Sequence, residues 1–180
     1  MTTDPDTPYF LEGPWYVVTY LDAEEFPTVV HLAQDQPMAQ MGSAFDATFA
    51  ELFPFLGTQG LRPIGPAFSL HHRMPTETAD FEIGIPVDKP LAEAHETASG
   101  VSLIPSTLPA GKVAVLSHIG DYDGLADAWE TFLNEIGEAG HRPTLPFWEV
   151  YVSEPRPDAD PATLRTDLVV RLLPEGDEQA

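Results

Sequence analysis

Residues 147–152, Phe-Trp-Glu-Val-Tyr-Val, set one carboxylate between two aromatic rings at two-residue spacing. Side chains alternate along an extended strand, so Phe147, Glu149 and Tyr151 share one face and Trp148, Val150 and Val152 the other. Neighbours on one face lie about 7 Å apart, close enough for one flat ligand to touch all three. Such a face supports two kinds of chemistry. A carboxylate between rings suits an organic cation, held by charge, stacking and cation–π attraction. A desolvated carboxylate also serves as a general acid or base, with the Tyr151 hydroxyl orienting water or a leaving group. The plain alternative is a solvated face on which Glu149 is an ordinary surface acid. Two adjacent exposed rings weigh against it, because both forgo burial. The pattern alone leaves pocket and surface open. The purely apolar set, Trp148, Val150 and Val152, is expected to pack on the helices.

Other catalytic signatures are missing. No Walker loop, dinucleotide G-x-G-x-x-G, H-E-x-x-H or G-x-S-x-G motif occurs. His71 and His72 are adjacent, so on a strand they point to opposite faces and cannot share one ion. Cysteine is absent. Neither a metal nor a cofactor is expected.

The charge narrows the partners. Eight basic residues stand against 29 acidic ones, a net charge of −21 spread evenly over 180 residues. Binding a phosphate backbone needs Lys and Arg to displace counterions, and anionic membranes repel such a chain. No direct nucleic-acid or membrane contact is expected, whereas the field draws in cations. The N-terminus is acidic and polar, unlike a secretory leader, and no apolar run approaches the roughly 20 residues of a membrane helix. A soluble, cytoplasmic protein of one domain is the expectation.

The elements that position the Glu149 strand occur twice. Gly60-Leu61-Arg62-Pro63 through Leu70 aligns with Gly140-His141-Arg142-Pro143 through Val150, 80 positions on. Val29–Leu32 aligns with Val113–Leu116 at 84, and Phe45, Phe49 and Leu52 with Trp129, Leu133 and Ile136 at 84. Phe81–Val87 aligns with Thr166–Leu172 at 85. Each unit reads strand, helix, strand, strand, with the pseudo-repeats at about 12–88 and 100–173. The first helix spans about Met38–Leu56 and is capped by Gly57, with Pro54 an awkward guest. The second starts near Asp121, a good N-cap, and places Leu125, Trp129, Phe132 and Ile136 on one stripe. These aromatics, with Phe45 and Phe49, are assigned to the core.

Tyr16–Tyr20 adds a strand before the first unit, residues 88–99 form an acidic linker, and residues 1–8 and 174–180 are polar tails. The repeat sets Ala67, Ser69 and His71 opposite Phe147, Glu149 and Tyr151, small enough at the first two to leave room for something flat. Tyr122 either leans over the site or packs at the helix start. Glu82 and Asp167 are expected to be solvated, and Arg165 to be a surface or ion-pair residue. Two such units can join into one antiparallel sheet surface, helices on one face and a central ligand cleft on the other, an α+β fold.

The order of Leu108–Val115, His118-Ile119-Gly120-Asp121-Tyr122, Leu125, Trp129, Trp148-Glu149-Val150-Tyr151 and Leu164–Leu168 resembles the GyrI-like ligand-binding domain over roughly residues 15–173. The resemblance implies two strand-helix-strand-strand repeats and a cleft for flat, hydrophobic, often cationic compounds. It implies an acid at the position of Glu149 that contacts the ligand, with aromatic residues around it; Phe147, Tyr151, Tyr122 and Trp148 are the expected ones, and the repeat adds Ala67, Ser69 and His71 to the ligand-binding set. Relatives of this kind are effector modules of AraC-type and MerR-type multidrug regulators, or stand-alone proteins linked to drug resistance. Some stand-alone members hydrolyse cyclopropane-bearing antibiotics with that carboxylate, which would make Glu149 and Tyr151 catalytic. Another inhibits DNA gyrase, which would make this chain an acidic protein-interaction module. The chain shows no helix-turn-helix segment or basic surface. The expectation is a stand-alone protein that sequesters or senses lipophilic cations, its oligomeric state left open.

Overall fold

The structure, a computed structural model, describes residues 8–153, 158 and 160–174. The expected polar tails, apart from Pro8 and Pro174, lie outside the described residues. Nine strands and two α-helices follow in the order β1 (Thr19–Ala23), β2 (Phe26–Pro37), α1 (Met41–Gln59), β3 (Phe68–His71), β4 (Thr78–Pro86), β5 (His95–Glu96), β6 (Ser102–Leu108), β7 (Gly111–Ile119), α2 (Leu125–Glu138), β8 (Pro143–Tyr151) and β9 (Arg165–Leu172). The fold is α+β, and every recorded strand pair is antiparallel.

The chain divides into two compact units. The inner unit, Glu25–Pro109, orders its strands β3-β4-β2-β6-β5. Leu52, Phe55 and Leu56 of α1 pack on Val29, Ile85, Val87 and Leu103, all nearly or fully buried. The outer unit holds the described residues up to Glu24 and from Ala110, ordered β1-β7-β9-β8. Phe132 and Ile136 of α2 pack on Ala114, Leu168, Val170 and Leu172.

Strand registers in the two units run at a constant offset and correct one of the aligned offsets. Val29 lies opposite Ile85 in the inner unit, and Ala114 opposite Val170 in the outer one. The opening strands therefore correspond at 85 positions, one more than the 84 of the residue alignment. The extra residue matters, because a one-residue slip turns every side chain to the other face. Val29 and Ala114 both face a helix, as the ladders require. Phe68 opposite Gly84 and Trp148 opposite Val169 keep the closing strands at 80 and 85.

The edge strands are exchanged. β1 lies at the start of the first half of the chain but pairs with β7, Leu21 opposite Val113. β6 lies at the start of the second half but pairs with β2, Ser106 opposite Thr28. These two pairs are again related by 85 positions.

Helix ends differ from expectation in detail. Met38–Gln40 form a separate 3-10 turn, so α1 begins at Met41, and its left-handed terminus is Gly60 (φ 65°) rather than Gly57. Of these two glycines, only Gly60 carries the positive φ that a residue with a Cβ resists. Asp121 heads a 3-10 turn, Tyr122–Gly124, and α2 starts at Leu125. The segment 88–99 contains β5, which pairs with β6. No helix among the described residues is long and apolar enough to cross a membrane.

Candidate functional site

β8 carries Phe147, Glu149 and Tyr151 on one face, as alternation requires, and that face is the one α2 covers. Glu149 lies opposite Leu168 and Phe147 opposite Val170 on β9. Leu168 and Val170 sit in the cluster beneath α2, with Trp129 and Phe147 packed against it. This corrects the expectation that Trp148, Val150 and Val152 meet the helices. Trp148 is fully buried on the opposite face, where its indole N–H donates to the Tyr9 hydroxyl at 3.0 Å. Alternation separates two faces but does not say which one a helix takes. Here the buried N-terminal Tyr9 joins the all-apolar set through Trp148, and Phe10 packs edge to face on Tyr9.

The Glu149 carboxylate is held from two sides. The Trp129 indole N–H donates to Oε2 at 2.7 Å, and the Tyr151 hydroxyl donates to Oε1 at 2.8 Å. Each donor satisfies one oxygen without neutralising the charge. No Lys or Arg among the described residues pairs with Glu149.

Rings complete the surroundings. Trp129 meets Phe147 edge to face, centroids 5.0 Å apart, and Tyr122 meets Tyr151 likewise at 6.2 Å. Trp129, Phe147, Glu149 and Tyr151 are half-buried and Tyr122 is 39% exposed, so the cluster is open to solvent on one side. Burial, and after it the Glu149 charge, pushes the Tyr122 hydroxyl above the ordinary tyrosine range. Tyr122 therefore belongs to the electrostatic neighbourhood of Glu149.

Trp129 is the residue that sequence reasoning missed, because helical spacing placed it on the core stripe. That stripe does pack inward, yet an indole N–H needs an acceptor when it is buried. An acid on a neighbouring strand was the available signal.

Ala67, Ser69 and His71 lie in the inner unit. Ala67 is half-buried just before β3, while Ser69 and His71 are buried on β3 opposite Ile83 and Phe81. Those partners pack with Met38, Met41, Phe45 and Phe49, so Ser69 and His71 are on the α1 face. His71 stacks on Phe81 at 5.1 Å. Burial first, then the charges of His72 and Arg73, lower its pKa to about 4 and keep it neutral at pH 7.

The two acids expected to be solvated are buried. Asp167 is 1% exposed; it accepts from Ser117 Oγ at 2.6 Å and from Arg165 Nε and Nη2 at 2.9 and 2.8 Å. Arg165 is thus an ion-pair residue whose Nη2 also donates to the Glu12 carbonyl. Glu82 is 6% exposed and meets His72 Nε2 at 2.6 Å. Both acids lie on closing strands at equivalent positions, and the Arg165 guanidinium offsets the cost of burying the Asp167 charge.

Residues 21–173 match the model of the GyrI-like small molecule binding domain. The chain belongs to the GyrI-like family. None of the curated proteins matches it. Solved structures share the fold of this GyrI-like domain at low identity. The C-terminal domain of EcmrR is 17% identical with a TM-score of 0.64, over 88% of this chain and 98% of that one. In the EcmrR–DNA complex the TM-score is 0.65 at 18% identity, and this chain spans 57% of that longer chain's length. A hydrolase from Listeria innocua is 13% identical with a TM-score of 0.61, over 91% and 95% of the two chains. SAV2435, solved with tetraphenylphosphonium bound, is 13% identical with a TM-score of 0.57, over 87% and 94%. These likenesses concern the fold; small-molecule binding is the description of the family itself.

Proposed function

We propose that this GyrI-like domain binds planar, hydrophobic cations, with Glu149 as the charge partner and Trp129, Phe147, Tyr151 and Tyr122 as the aromatic lining. The observation that carries the reading is a half-buried carboxylate ringed by aromatics and held, among the described residues, by two neutral donors. Desolvating such a carboxylate is costly unless a cation compensates, so a ligand with positive charge gains where a neutral one does not. Cation–π attraction to Trp129 and the tyrosines adds about 0.5–2 kcal/mol per contact, depending on desolvation. SAV2435, which shares the fold, is solved with a lipophilic cation.

The test is a fluorescence titration of the protein and its Glu149→Gln variant with a planar cationic dye. An affinity loss of tenfold or more in the variant, about 1.4 kcal/mol, is the expected result. Equal affinity would remove Glu149 from the site. The Tyr151–Glu149 hydrogen bond also suits a carboxylate that activates water, so the recovered ligand is weighed by mass spectrometry. An unchanged mass is expected, and a hydrated product would replace binding with hydrolysis.

A further inference from the structure

The two hydrogen bonds on Glu149 carry a consequence for which cations the site prefers. A carboxylate offers about four lone-pair sites. Trp129 Nε1 takes one on Oε2 and the Tyr151 hydroxyl one on Oε1, at 2.7 and 2.8 Å. Both donors are anchored. The indole of Trp129 is set against Phe132 and Phe147, ring centroids 5.6 and 5.0 Å away. Tyr151 stands two residues from Glu149 on the same strand face. A ligand reaching the carboxylate therefore meets oxygens that are already half-occupied, bordered by ring carbon.

Resting on the binding function proposed above, we infer that Trp129 and Tyr151 are specificity-determining residues that favour cations without N–H donors, such as quaternary ammonium or phosphonium groups, over protonated amines of the same shape. A primary ammonium carries three donors and no acceptor. Against Glu149 it finds at most two lone-pair sites, and an N–H left over that is turned from the open side toward the rings meets aromatic carbon. An unsatisfied buried donor loses its hydration without return. The alternative is to expel Trp129 or Tyr151 from the carboxylate, which breaks one of the two hydrogen bonds that hold Glu149. A tetra-substituted cation meets neither difficulty. It needs only charge and ring contact, both of which the cluster supplies with its hydrogen bonds intact.

The experiment compares trimethyl(1-naphthylmethyl)ammonium with 1-naphthylmethylammonium at pH 7 by calorimetric titration. It uses the full chain and its Trp129→Phe and Tyr151→Phe variants, each checked for native circular dichroism. Three extra methyl groups favour the quaternary probe by themselves, so the decisive quantity is how its preference changes between proteins. The wild type is expected to prefer the quaternary probe by tenfold or more. Each variant frees one lone pair, and in each the preference is expected to fall at least threefold, mainly through tighter binding of the ammonium probe. A preference unchanged in both variants, or a wild type that favours the ammonium probe, overturns the inference while leaving cation binding in place. Failure of both probes to bind the wild type overturns the cation-binding function beneath it.

Discussion

Trp148 and Glu149 are neighbours in the chain whose side chains serve opposite faces of β8. Glu149 turns toward α2 and the indole of Trp129, and Trp148 turns away to the hydroxyl of Tyr9. The strand thus carries the candidate site on one side and a buried structural anchor on the other. Burial pushes the Tyr9 hydroxyl well above the usual tyrosine range, so it remains protonated. It is free to accept from the indole without acquiring charge.

Removing that acceptor should cost stability without touching the site. Tyr9→Phe leaves the Trp148 N–H buried and unpartnered, a penalty of about 1–3 kcal/mol. Urea denaturation is expected to show this loss, while dye affinity stays within twofold of the wild type. An equal drop in affinity would mean that the two faces of β8 are not separable.

The features legible in the sequence were those with a period. Leu125, Trp129, Phe132 and Ile136 read as one helical stripe and form one. The alternation through residues 147–152 separated Glu149 from Trp148 correctly, but it did not say which face the helix covers. Polarity suggested the wrong face, since Glu149 and Tyr151 look unfit for a helix-covered surface. They are tolerated there because Trp129 and Tyr151 donate to the carboxylate, contacts made across elements that no local pattern announces. The offset of the opening strands failed for a related reason. Runs such as Val29-Val30-His31-Leu32 and Val113-Ala114-Val115-Leu116 match almost as well one residue along, and only the ladder fixes the register. The burial of Asp167 had a visible cue in Arg165, two residues away and therefore on the same strand face.

His71 makes stability depend on acid. Its pKa is lowered from 6.5 to about 4, by burial first and then by the charges of His72 and Arg73. The unfolded chain therefore takes up this proton before the folded one does. The contribution is fully present above pH 6.5 and is lost as pH falls toward 4, an effect on the order of 3 kcal/mol. Thermal melts of the wild type and His71→Gln between pH 7 and 4 should show a steeper decline in the wild type. Parallel curves would mean that His71 does not titrate in this way.

Gly84 is set by a close approach of strands. A Cβ there would collide with the Val29 carbonyl oxygen and the Val30 side chain, both on β2. Backbone cannot yield as a flexible side chain can, so β4 would have to move off β2. Gly84→Ala is expected to destabilise by about 3 kcal/mol or more, seen as a drop of several degrees in melting temperature or as insoluble protein. A wild-type melting temperature in this variant would contradict the close packing of β2 and β4.

The Arg165–Asp167 pair tests whether buried charge is structural or incidental. Asp167 is almost wholly enclosed, and Arg165, with a side chain 16% exposed, supplies two of its three donors. Arg165→Met removes the compensating charge and leaves the carboxylate, among the described residues, with the Ser117 hydroxyl, a loss of about 3–5 kcal/mol. The double variant Arg165→Met with Asp167→Leu no longer buries an isolated charge. It should recover part of that loss even though it makes fewer hydrogen bonds. The coupling energy is the change in the double variant minus the summed changes of Arg165→Met and Asp167→Leu alone, each read from denaturant midpoints. A double variant as unstable as the summed single changes would show that the two residues act independently. Recovery would assign the pair to the outer unit's framework, and dye binding at Glu149, on the other face of the sheet, should survive in the rescued protein.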